Sequence, residues 1–293
     1  MTQFDRGDII VAATDVDDSN IDLRDHRGEG RLLHFDADFA LRGEYRTGQL
    51  GLLVGLAIDP LDGSLWTADP TGRAVYHFSA DGRLVPPPGL YSRAWGTAAF
   101  APGAGDRGLF LGVHTQRGPA PDDALGGDKL VRVVDGRIVE SWAVETDGGH
   151  TGWHGLTSLG FADGGRIAVY LSEGGRRVLR HDLAAHRQLP DLKVFAEGDL
   201  RRAYGVCVLP DGQALVATGR SALLIDGDGR ELAEWPAKPE KGWTRVTASR
   251  DGVSFFFNNF LEGLIQRRRL VDGAIIATHD IARRCSLCGI ADF

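Results

Sequence analysis

Apolar residues in this chain come in short runs of four to six, each closed by a turn signal, and long stretches with a helical period of apolar positions are scarce. The run "GLAID" is followed by the turn "PLDG", "SLWTAD" by "PTG" and "AVYHF" by "SADG". This strand, turn, strand, turn, strand order returns from Gly205 to Trp235 as "GVCVL PDG QALVAT GRS ALLID GDG RELAEW". Asp-Gly recurs at the joints because a tight hairpin turn needs positive φ, which glycine adopts at little steric cost. The pattern predicts an all-β protein.

Taking the first residue of each inner strand gives Gly55, Gly96, Gly155, Gly205, Arg245 and Gly289, at spacings of 40 to 59 residues. A period of about 40 to 50 residues with four strands per unit is that of a propeller blade. The last opening, "CGIADF", reaches the C-terminus after one strand, whereas "DIIVAATD", "RLLHFDAD" and "LRGEY" supply three N-terminal strands without an inner one. The two fragments complete each other, which predicts a six-bladed β-propeller, residues 1–293 as a single domain, closed by the C-terminal strand pairing with N-terminal strands. Neither of the two longest units holds a second complete set of strand and turn signals, so a seventh blade is not expected. Their extra length falls in the polar loops 15–30 and 116–128.

The blade pattern "GLAIDPLDGSLWTADPTGRAVYHFSADG" resembles NHL-type blades and the wider propeller superfamily that includes gluconolactonase-like enzymes, peptidyl-amidating lyases, strictosidine-synthase-like proteins and streptogramin lyases. The resemblance covers all six units and implies the fold more than the chemistry. The "EGP-x-W" stretch of the gluconolactonase-like enzymes is missing. The order of "HGL" (154–156) and "VYLSEGG" (169–175) resembles that of the streptogramin lyases. This resemblance implies a general acid/base at His154 and a carboxylate holding Mg²⁺ at Glu173, for opening a C–O bond by elimination. Here the ring is one blade smaller and the intervening loop longer, so substrate and reaction do not carry over.

In a propeller, residues just before each inner strand gather at one opening, and an antiparallel return brings the ends of the second strands to the same face. The first set includes Val54, Trp95, His154, Tyr204, Thr244 and Cys288, and the second Asp15 or Asp17, Asp69, His114, Glu173, Thr218 and Asn258 or Asn259. The expected site is therefore a small-molecule pocket at the mouth of the central channel. His154, Glu173, His150 and Tyr204 are its expected catalytic residues, and Trp95, Trp153, Trp243 and Cys288 its substrate contacts. His114, His154, Glu173, Asp15, Asp69 and Asn258 are the expected ligands of a divalent ion, either Mg, Ca, Mn, Fe or Zn. A structural reading stands beside each: aromatics plugging the channel, Asp69 capping its own turn, and the "CSLC" cysteines filling a closing strand.

Composition narrows the function. The chain has 293 residues, 43% hydrophobic and 25% charged, with 40 glycines and a formal charge of −7. Nucleic acid and anionic membranes are not expected partners, since both need clustered Lys and Arg. The run Arg267 to Arg269 is expected to be a solvated strand edge. No apolar run reaches the ~20 residues of a membrane span, no secretory leader is recognisable, and three uneven cysteines form no disulfide framework; the expected location is the cytoplasm. The acidic run from Asp15 lacks the glycine and glutamate of a calcium loop. No nucleophile elbow, phosphate-binding loop or dinucleotide fingerprint occurs in its required context, so no nucleotide cofactor is expected. Two functions remain: a metal-assisted lyase or hydrolase (an isomerase is a third form) acting on a C–O bond or lactone, and a non-catalytic scaffold.

Overall fold

The computed structural model describes residues 4–15, 28–86, 93–102, 108–114, 125–149 and 154–293. Among them stand six four-stranded antiparallel sheets, each a blade with its first strand at the channel. The second blade runs from β4 (Val54–Ile58) through β5 (Leu65–Asp69) and β6 (Ala74–Phe78) to β7 (Leu84–Val85). The third uses β8 (Trp95–Phe100) to β11 (Arg137–Trp142), and the fourth β12 (Ser158–Ala162), β13 (Ile167–Leu171), β14 (Arg177–Asp182) and β15 (Arg187–Val194). The fifth holds β16 (Gly205–Val208) to β19 (Glu231–Pro236), and the sixth β20 (Trp243–Ala248), β21 (Ser254–Asn259), β22 (Leu264–Arg269) and β23 (Ile275–Asp280).

The first blade carries the closure. Its inner strand is the C-terminal β24 (Gly289–Asp292), paired antiparallel with β1 (Ile9–Asp15), Ile9 opposite Asp292 and Ala12 opposite Gly289. Gly7 N–H donates to the carbonyl of Phe293 at 2.7 Å and Phe4 stacks on the Phe293 ring at 4.7 Å, so both ends of the chain are fixed in one sheet. Inner strands touch in sequence around the ring, β24 against β4, β4 against β8, and finally β20 back against β24. This is the six-bladed propeller that the strand spacing predicts. The expected phase is off in the fourth blade, where the inner strand opens at Ser158, three residues after Gly155.

The core lies in the seams. Phe256 and Ile265 of the sixth blade pack on Ile9, Val11 and Ile290 of the first, and each other seam holds its own apolar cluster among the described residues. No single blade can bury both of its faces, so ring closure stabilises all six at once. The outermost strands β19 and β23 alternate exposed and half-buried residues, as sheet edges facing water should. The arginine run is not a free edge. It lies on β22, one strand in, where Arg268 is 3% exposed, with Nε donating to Gln266 Oε1 at 2.8 Å and the guanidinium over Phe257, while Arg267 pairs with Asp251.

Candidate functional site at the channel mouth

The inner strands enclose a cavity of about 310 Å³, at the small end of ligand pockets. Each strand contributes an apolar wall residue: Leu56, Ala98, Leu159, Val206, Val246 and Ile290. Among the described residues lining it, Arg245 is the single charged side chain. Why it reaches the cavity follows from position in the blade. Gly55, Gly205 and Arg245 each stand four residues ahead of the residue whose N–H closes the first hairpin, namely Asp59, Leu209 and Ser249. Two blades carry no side chain at this step, and the sixth carries a guanidinium. Arg245 Nε donates to the carbonyl of Cys288 at 3.0 Å, and Nη1 and Nη2 donate to no group among the described residues. Desolvation lowers the pKa of Arg245; what remains exposed of this half-buried residue faces the channel.

Glu173 and Cys288 come near Arg245 from two other blades, and Tyr204 of the fifth lies near Glu173. Glu173 follows β13, and Ser172 Oγ donates to the carbonyl of Gly155 at 2.7 Å. The next two residues lock this turn to the fifth blade: Gly174 N–H donates to Ala203 O at 2.9 Å and Ala203 N–H to Gly175 O at 2.8 Å. That pairing brings Glu173 beside Tyr204, the residue after Ala203. Burial raises the Tyr204 pKa, and the Glu173 charge raises it further, so the phenol is a proton donor at neutral pH. Its ring lies over Gly219, where φ is +83° and a Cβ would stand 2.6 Å from the ring, so a side chain there would displace it. Glu173 also acts electrostatically on Arg245 and on Cys288, whose thiol burial pushes up to about 12.

His154 belongs to the same rim. Its ring rests over Gly148, and Nδ1 lies 3.2 Å from Thr146 Oγ1. The neighbouring Gly149 sits under the backbone of Glu173, and Asp147 accepts from the N–H groups of Arg176 and Arg177 at 2.7 and 3.0 Å. His154 and Glu173 thus lie on either side of the segment 147–149, with His154 exposed and Glu173 turned toward Arg245. The glycine after the histidine is structural: any Cβ at Gly155 would overlap the carbonyl of His114.

The other expected site residues divide. Trp95 and Trp243 are both 0% exposed; Trp243 stacks on Phe257 at 4.6 Å and donates to Pro239 O at 2.7 Å. They fill seams and offer no face to a ligand, contrary to the expectation of a pocket wall. The expected metal donors do not come together either. Asp69 is 1% exposed and accepts from Leu52, Thr71 and Gly72 N–H groups at 2.8 to 3.1 Å, so its carboxylate serves its turn. His114 is held by its N–H to Ala94 O at 2.6 Å between Gly96 and Gly155. Glu173 faces a guanidinium, which opposes a cation. Among the described residues no three His, Cys, Asp or Glu side chains are placed to hold one ion. Asn258 is 0% exposed, with both amide atoms unpartnered among the described residues. Asp15 is described only in its backbone, and His150, Trp153 and Asp17 lie outside the described residues.

No family model and no curated protein matches the chain. Its fold recurs in solved structures. A chain of a nidogen/laminin complex aligns with a TM-score of 0.68 at 12% identity, over 97% of this chain and 98% of that one. A Bacteroides caccae protein of unknown function gives 0.67 at 11%, over 98% of each. Virginiamycin B lyase from Staphylococcus aureus gives 0.53 at 12%, over 80% of this chain and 72% of that one. At such identities the likeness defines a class, the β-propellers, and leaves function to the site. Among the described residues no helix is long and apolar enough to cross a membrane.

Proposed function

We propose that this protein is a small-molecule enzyme of the lyase or hydrolase kind, working at the mouth of its central channel with Glu173 and Tyr204 as proton carriers. The observation that carries the reading is a carboxylate, Glu173, that lies near both a protonated phenol and the desolvated guanidinium lining an apolar cavity. In an elimination, Glu173 takes the proton α to a carbonyl, its electron pair becomes the new C=C bond, and the adjacent C–O bond breaks. Tyr204 O–H then protonates the departing oxygen, and Arg245 stabilises the negative charge that builds on the carbonyl oxygen. Arg245 supplies the positive charge that a metal ion supplies in other sites. His154, exposed on the same rim, is placed to pass protons to solvent.

The likeness of the blades to NHL-type and gluconolactonase-like sequences and the fold shared with virginiamycin B lyase support an enzyme. Three free cysteines, two of them buried, agree with a reducing, cytoplasmic setting. A scaffold is the second reading, favoured by the exposed Val253, Val271, Ile275 and Ile276 on the sixth blade and by a neighbour solved within a protein complex. The test is a panel of lactones, aryl esters and β-alkoxy carboxylates assayed with wild type, Glu173→Gln, Tyr204→Phe and His154→Ala. The enzyme reading expects a turnover loss of about 100-fold or more in the first two with little change in Tm. Turnover unchanged in both, or absent from the whole panel in wild type, overturns it in favour of the scaffold.

A further inference from the structure

We propose that the central cavity seats a small organic carboxylate, its carboxylate held by Arg245 and Asn258 and its apolar body among the inner strands. The proposal deepens the reading of the mouth as a small-molecule site and names the class of molecule. Arg245 and Asn258 are direct cross-strand partners on β20 and β21, so their side chains leave the same face of the sheet. Arg245 gives the direction of that face, because its Nε reaches Cys288 of the first blade. Asn258 is wholly buried on this face, outside the residues that line the cavity, yet among the described residues neither its Nδ2 nor its Oδ1 has a hydrogen-bond partner. Buried polar atoms are nearly always paired, and two orphaned atoms on one amide beside a guanidinium with two idle nitrogens mark a place built for something else.

The chemistry of the gap selects the ligand. Nη1, Nη2 and Asn258 Nδ2 are all donors carried by cross-strand partners on one face of the sixth blade, and a carboxylate offers two oxygens to such a set. Asn258 Oδ1 is left to accept from a hydroxyl next to the carboxylate, so a 2-hydroxy acid satisfies the set more fully than the plain acid. The rest of the wall is uncharged, mostly aliphatic and small, with Ala57, Ala98 and Ala291 leaving room for a branched or aryl chain. About 310 Å³ admits a body of that size and excludes a long acyl chain.

Isothermal titration with 4-methylpentanoate, 2-hydroxy-4-methylpentanoate, 4-methylpentanamide and sulfate tests the proposal on the whole protein. The two acids should bind, the hydroxy acid several-fold tighter, and the amide and sulfate should not compete at equal concentration. Arg245→Met should weaken acid binding about 10- to 100-fold, the range of a lost charge-assisted hydrogen bond, and Asn258→Leu should abolish the preference for the hydroxy acid. Glu173→Gln should leave acid binding intact or tighten it, since it removes a negative neighbour. That result, joined to unchanged turnover in Glu173→Gln, would remove the catalytic reading and keep the carboxylate seat. Acid binding that survives Arg245→Met, sulfate competing as well as the acids, or no acid binding at millimolar concentration overturns the proposal.

Discussion

Replacing Arg245 with methionine separates a ligand seat from a structural strut. Among the described residues the guanidinium makes a single hydrogen bond, Nε to the carbonyl of Cys288 at 3.0 Å, and otherwise sits desolvated at an apolar cavity. Losing a charge-assisted bond costs about 1.5–3 kcal/mol. Removing a charge from a poorly solvated place returns several kcal/mol, an offset comparable with the gain of about 1–4 kcal/mol when whole buried ion pairs are replaced by apolar residues and reduced here by the loss of the attraction to Glu173. Methionine keeps a flexible stem of similar reach along the same wall. The balance is a ligand-free variant more stable than wild type by about 1–2 kcal/mol, a rise in Tm of about 2–4 °C for a chain of this size. Calorimetry or urea unfolding of both proteins without ligand checks it. A fall of 1 kcal/mol or more would mean that Arg245 holds the sixth blade to the first, and the reasoning that it is kept for a ligand would fail.

Trp243→Ala should cost about 3–5 kcal/mol, as large-to-small changes of a buried aromatic do, and lower the urea midpoint; a change under 1 kcal/mol would return this indole to the ligand wall. At pH 8 the Cys288 thiol, pushed up to about 12, holds about 1000-fold less thiolate than a thiol of ordinary pKa near 9. Iodoacetamide followed by mass spectrometry should therefore leave Cys288 unlabelled in the folded protein and label it after unfolding, whereas rapid native labelling would contradict its buried setting. Treatment with EDTA and dialysis should change neither Tm nor turnover on any substrate the panel reveals; loss of either, restored by one divalent ion, would revive the metal site.

The ring was legible because its cause is local. Asp-Gly turns and four- to six-residue apolar runs repeat at blade spacing, and the incomplete first and last fragments show that "CGIADF" must join the N-terminal strands. Residues beside the inner strands were harder to place, because spacing finds the end of a strand and not the side to which a residue turns. Trp95 and Trp243 stand at the right ends and turn into seams, whereas Glu173 comes near both Tyr204 and Arg245, a difference made by pairings such as Gly174 with Ala203 that no local pattern announces. Asp69 illustrates a second limit: a carboxylate in "TADPTG" satisfies its own turn before it can serve a site. Arg245 had a signal in the sequence, the one charged residue among strand openings otherwise occupied by glycine. Periodicity counts that position without asking why it differs. Asn258 had none, since its lack of partners exists only in the folded seam.

The most direct measurement is the crystal structure of wild type soaked with 2-hydroxy-4-methylpentanoate. Density is expected inside the ring, with the carboxylate within hydrogen-bond reach of Arg245 Nη1 and Nη2 and the hydroxyl on Asn258. A clear channel with the acid bound elsewhere, or with Arg245 turned away from it, would contradict it.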